Sequence, residues 1–128
     1  MQTKTTLLTW LQLMRIPTVF TALSNILCGY LITQQIPVAE PPQQTHLWLL
    51  LLSSAGLYLG GMVLNDVFDA ALDAVERPER PIPSGRISRR AAALFGSTLL
   101  VIGVSCAAMV GQGSLLLSGL IVIAVLLY

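Results

Sequence analysis

The sequence is short of charge before it is short of anything else. Only 10% of its 128 residues are Asp, Glu, Lys or Arg, against about 25% in ordinary soluble domains. A chain so poor in charge, with 55% hydrophobic residues and mean hydropathy +0.77, excludes a water-facing globule and calls for a lipid solvent. The formal net charge of +1 supplies no basic field, so no nucleic-acid partner is expected. Cysteine is nearly absent: Cys28 and Cys106 both sit in apolar runs. That excludes a disulfide framework or a metal knuckle and leaves two small apolar side chains. The single histidine, His46, stands alone in a polar connector and takes no role. Beyond Arg90 no acidic residue occurs, and residues 34–45 contain neither Lys nor Arg.

What is present is a set of apolar runs. A membrane-crossing helix needs about 20 predominantly apolar residues. Uncharged stretches at 16–33, 47–64 and 91–110 come close to that length, and a fourth apolar run begins at Ser114 and continues to Tyr128. Backbone groups in lipid must find partners within the segment, so these runs are expected to be helices. The expected fold is therefore all-α and integral to the membrane, a multi-span helical bundle with membrane helices at 16–33, 47–73, 88–110 and 114–128. Residues 1–15 form a different segment. Leu7, Leu8, Leu11 and Met14 recur at helical spacing, which suits a retained helix lying in the membrane interface. Arg15 and Pro17 interrupt the apolar run, which argues against a cleaved leader.

The basic residues fix an expected orientation. Lys4 and Arg15 precede the first run; Arg77, Arg80, Arg86, Arg89 and Arg90 lie between the second and third. Between the first and second runs the connector carries only Glu40. The N-terminus and the 74–90 loop are thus expected on the cytoplasmic side, in a multi-pass protein of the plasma (inner) membrane.

At the end of the second run stands Asn65-Asp66-Val67-Phe68-Asp69-Ala70-Ala71-Leu72-Asp73. At helical rotation Asp66, Asp69 and Asp73 fall within an arc of roughly 60°. Three like charges on one stripe repel, and an Asp at the centre of a span costs about 2.5–3.5 kcal/mol. A divalent cation offsets both penalties. Mg²⁺ takes oxygen ligands, commonly one or two carboxylates with waters and substrate phosphate oxygens. The expected ligand is accordingly a metal carrying a phosphate or diphosphate. The next segment, from Glu76 to Arg86, contains Pro78, Pro81 and Pro83, which rule out a helix and stiffen the loop. It holds Arg77, Arg80 and Arg86, and guanidinium groups suit bidentate capture of phosphate oxygens. Each feature alone has an ordinary explanation, a solvated helix end or an orientation signal. The two in succession favour chemistry.

These residues carry a resemblance. The stretch 65–73 resembles the N-D-x-x-D-x-x-x-D motif of the UbiA superfamily of membrane prenyltransferases, and 80–88 resembles the R-P-[ILV]-x-S-G-x-[IV]-S stretch that follows it. Residues 13–30, with Arg15, Pro17 and Gly29, are similar to the family's first span. The resemblance implies an all-helical enzyme of nine spans around a cavity open to lipid, of which this chain would hold about four. It implies two acidic motifs that hold Mg²⁺ against a prenyl diphosphate. Loss of diphosphate would leave an allylic cation for an aromatic or lipid-precursor acceptor. Asp66 and Asp69 would then be catalytic metal ligands and Asp73 a further ligand. Asn65, Arg77, Arg80 and Arg86 would contact the diphosphate. The short spacing from Asp73 to Arg80 resembles members that make archaeal-type lipids or chlorophyll more than those acting on 4-hydroxybenzoate or haem.

The family's second acidic motif has no counterpart here. The expectation is an N-terminal half, inactive alone. Two other classes remain open at this point. A small transporter or ion-handling protein would use the Asp cluster as an intramembrane cation site, but leaves the arginine loop unexplained. A non-catalytic membrane scaffold would need only small residues at helix contacts, and Gly56, Gly60 and Gly61 supply them. A soluble prenyl synthase is excluded by hydropathy. Asn25, polar within the first run, is a candidate cavity-lining residue.

Overall fold

The computed structural model describes residues 2–36 and 43–127, with side chains from Leu7 onward. The side chain of Lys4, and residues 37–42 with Glu40, lie outside that set. Six helices follow in order: α1 Gln2–Met14, α2 Ile16–Gln35, α3 Gln44–Phe68, α4 Ala70–Glu76, α5 Arg89–Val110 and α6 Gln112–Leu127. No strand occurs among the described residues. α2, α3 and α5 are long and apolar enough to cross a membrane; α6, with 16 residues, is a shorter apolar helix.

The bundle is organised around α3 and α5, which share the most extensive interface. Glycine makes it possible. A Cβ on Gly60 would stand 2.8 Å from the Gly96 carbonyl oxygen, and one on Gly56 2.9 Å from that of Leu99. From the opposite helix, a Cβ on Gly103 would meet the Ser53 carbonyl oxygen at 3.0 Å. The backbones touch where side chains would hold them apart, as small residues permit between helices in lipid. Gly61 belongs to another contact, with Val125 of α6.

A second packing centre ties the charged loop to the helices. Leu13, Val63, Val67, Ile82, Ile87 and Ala92 form one buried cluster. Ile82 and Ile87 belong to the proline-containing segment, so that segment is plugged into the bundle rather than left hanging. Gly85, at φ 75, closes its turn in a conformation that a side chain disfavours. Ser88 then caps α5, its hydroxyl accepting from the Ala91 N–H at 3.2 Å.

Two expectations change in detail. The helix expected over 47–73 is divided at Asp69, where φ is −77° and ψ 0°. The Val67 carbonyl accepts a hydrogen bond from Arg89 Nε at 3.0 Å, and a side chain drawn into the helical ladder is a recognised cause of such a break. In α1, Leu7 and Leu8 point outward, 63% and 60% exposed, whereas Leu13 and Thr9 face the protein. Trp10 meets Phe95 edge-on at 4.9 Å between ring centroids. Met14 packs on the buried cluster rather than sharing the outward face of Leu7.

Candidate functional site

The acidic residues sit where α3 gives way to α4, beneath the loop plugged in by Ile82 and Ile87. Asp66 is 5% and Asp73 4% exposed. Burying two carboxylates so close together demands cations, and two arginines supply them. Arg80 Nη1 lies 2.5 Å from Asp73 Oδ2 and 3.4 Å from Asp66 Oδ1. Arg15 Nη2 donates to the same Asp66 Oδ1 at 3.0 Å. The result is a chain of alternating charge, Arg15–Asp66–Arg80–Asp73, drawn from three separate parts of the sequence.

Asp69 takes a different partner. Its Oδ2 accepts from Asn65 Nδ2 at 3.1 Å, and it is half-buried. Among the described residues no group of three His, Cys, Asp or Glu stands close enough to hold a metal ion. Asp69 turns to Asn65 while Asp66 and Asp73 share Arg80. Two carboxylates do share a cation: one guanidinium nitrogen bridges Asp66 and Asp73. An all-oxygen pair around one positive charge suits Mg²⁺, which asks the protein for one or two carboxylates.

The candidate arginines separate. Arg80 reaches the acids. Arg86 turns away from them: its Nε donates to Ser84 Oγ at 3.0 Å, its Nη1 to Gln12 Oε1 at 3.3 Å, and its Nη2 to the Glu79 carbonyl at 2.5 Å. It braces the loop against α1. Arg77 is exposed beyond the end of α4. Arg15 was read from the sequence only as an orientation signal and part of a first-span resemblance. It occupies the left-handed region, φ 47° and ψ 48°, a conformation costing roughly 1–2 kcal/mol for a non-glycine residue. That turn joins α1 to α2 and brings the guanidinium across to Asp66. The one signal available beforehand was an arginine placed directly before an apolar span that has proline at its start.

A cavity of ≈ 740 Å³ borders this charged cluster at Arg15. Arg15 and Asn65 line it at one end. From there it runs between α2, α3 and α6 over an apolar surface including Ile26, Leu57, Met62 and Ile121. Its lining extends to Leu50 on α3 and Ser114 on α6. Asn25 does not line it and is exposed on α2. A charged head joined to a long greasy channel matches a ligand with an anionic group on an apolar tail.

Known proteins resemble this chain in sequence and fold. Residues 18–128 match the UbiA prenyltransferase family. Digeranylgeranylglyceryl phosphate synthase of Metallosphaera sedula is 34% identical over 119 residues, covering 93% of this chain and 40% of the relative. The enzyme of the same name from Methanothrix thermoacetophila is 44% identical over 77 residues, covering 59% of this chain and 29% of the relative. A solved structure described as digeranylgeranylglyceryl phosphate synthase in membranes superposes with a TM-score of 0.80 at 28% identity, covering 90% of this chain and 40% of that one. The chain thus spans about 40% of the length of relatives that it matches nearly end to end. With three helices of spanning length and this kinship, it is an integral membrane protein, and it belongs to the UbiA prenyltransferase family.

Proposed function

We propose that this chain forms the donor-binding wall of an enzyme that transfers a prenyl group from a prenyl diphosphate to a glycerol-phosphate lipid precursor. The single observation that carries this is that Arg15, paired with Asp66 in the charged cluster, also lines the apolar cavity. Diphosphate would lie at the charged end, against Arg15 and Asn65, with Arg80 reached past Asp66 and the prenyl tail along α3 and α6. The relatives are named for making a glyceryl phosphate bearing two geranylgeranyl groups, which gives the acceptor class.

Mg²⁺ would be held by Asp66, Asp69 and Asp73, the first and last of which already converge on one cationic nitrogen, and would neutralise charge on the departing diphosphate. The protein's own contributions follow from its side chains. Arg80 is seated by Asp73 and aimed by the anchored loop, so a phosphate oxygen arriving there meets a preorganised donor. Arg15, held by a strained backbone, supplies a second donor beside Asn65. The apolar walls exclude water from the carbon that loses diphosphate, which favours attack by the acceptor over hydrolysis. The charged end would face the cytoplasm at the inner membrane, where basic residues gather.

Binding of an unreactive prenyl thiolodiphosphate, measured with and without Mg²⁺, tests this. Affinity should fall about 100-fold without the metal and by a similar factor in Asp66→Asn. Tight binding indifferent to both changes would remove the donor site from these residues.

A further inference from the structure

Two arginines meet at Asp66, and they come from distant segments. Arg15 belongs to the turn between α1 and α2, and Arg80 to the loop before α5. Gln12 is bonded to both segments. Its backbone carbonyl accepts from the Arg15 N–H at 3.2 Å, within the turn that holds Arg15 at positive φ. Its side-chain oxygen accepts from Arg86 Nη1 at 3.3 Å. The next residue, Leu13, is fully buried in one cluster with Ile82 and Ile87 of the loop. The last turn of α1 is therefore a fixed platform on which both arginine-bearing segments rest.

Arg86 carries the hold of that platform to Arg80. Its Nη2 donates to the Glu79 carbonyl oxygen. That oxygen and the Arg80 N–H belong to one planar peptide unit, and the N–H donates to the Arg77 carbonyl at 3.1 Å. The unit is held at both ends, so only the torsions of Arg80 itself remain to aim its guanidinium. Arg86 Nε, on Ser84 Oγ, fixes the far side of the same loop. One planar group thus reaches three acceptors from three nitrogens, a geometry that the ammonium of lysine does not reproduce. Neither Gln12 nor Arg86 lines the cavity.

We propose that Gln12 and Arg86 are positioning residues for the donor site. They fix the Arg15 and Arg80 guanidiniums relative to each other, and through that spacing set the affinity for diphosphate without touching it. The assignment rests on the donor-binding role above and adds two residues that lie outside it. For Arg86 it replaces attraction by charge with support through shape.

The test measures binding of an unreactive prenyl thiolodiphosphate, with Mg²⁺, to the full chain in lipid nanodiscs. Arg86→Ala should weaken binding about tenfold and Gln12→Ala about threefold. The double variant should be no weaker than Arg86→Ala, because Gln12 acts through Arg86. Gln12→Glu keeps an acceptor oxygen toward Arg86 and should bind within about twofold of wild type. Arg86→Lys keeps the charge without the fork and should remain at least about fivefold weak. Thermal unfolding of all these variants should stay close to wild type, since the bonds removed lie at the surface. Wild-type affinity in Arg86→Ala or Arg86→Lys would overturn the proposal while sparing the donor site. So would Gln12→Glu as weak as Gln12→Ala, or separate losses that multiply to about 30-fold in the double variant. Failure of wild type to bind, or binding that ignores Asp66→Asn, would remove the donor site and this proposal together.

Discussion

The two faces of α3 solve opposite problems. Toward α5 the helix carries Gly56 and Gly60, and backbone meets backbone with no space between. Toward α2 and α6 it carries Ser54, Tyr58, Gly61 and Asn65, and a cavity remains. Both faces use small residues. The difference lies in what stands opposite. On the α5 side, Gly96 and Gly103 are themselves small and let the helices close; on the other, Arg15 and the charged cluster hold one end of α2 and α3 in place while the middle stays apart. A small residue thus marks a contact or a void according to its partner.

Breaking the charged end should have the largest effect. Arg80→Ala strips the partner from Asp73 and one of two from Asp66, both buried. Removing one member of a buried ion pair costs about 3–5 kcal/mol, and a matching loss of unfolding free energy in detergent should be measured. Loss below about 1 kcal/mol would mean that water reaches these carboxylates.

The closed face should respond less. Gly60→Val places a branched side chain where a Cβ alone would stand 2.8 Å from the Gly96 carbonyl, and overpacking of this kind costs about 1–3 kcal/mol. Thermal unfolding of the variant should show it. Gly113→Ala is the sharpening control, since nothing lies within 4 Å of a Cβ there. It should leave stability unchanged or slightly raised, because alanine favours helix over glycine by about 1 kcal/mol.

The spans and the acidic spacing were legible in the sequence because both are local. Uncharged length marks α2, α3 and α5, and rotation of 100° per residue places Asp66 and Asp73 on one side of α3 and α4. Family kinship was legible for the same reason, in the contiguous stretches 65–73 and 80–88. What could not be read locally was which cation meets which anion. Arg15 reaches Asp66 across 51 positions, and Arg86, nearer in sequence to the acids than Arg15, is drawn instead to Gln12. The break at Asp69 depends on Arg89, 22 positions beyond the carbonyl to which it donates. No periodicity within α3 carries that information. Glycine's two uses on α3 were equally hidden, since the sequence offers Gly56, Gly60 and Gly61 without saying what faces each.

The central claim is the proposal that Asp66, paired with Arg15 and Arg80, is shared with a metal–diphosphate when a prenyl diphosphate binds. Electron paramagnetic resonance with Mn²⁺ in place of Mg²⁺ measures this directly. Bound Mn²⁺ should be detected on the wild-type chain when a prenyl thiolodiphosphate is present, should fall at least about tenfold without that ligand, and should be lost in Asp66→Asn. Equal Mn²⁺ binding by wild type and Asp66→Asn, with the ligand present, would contradict it.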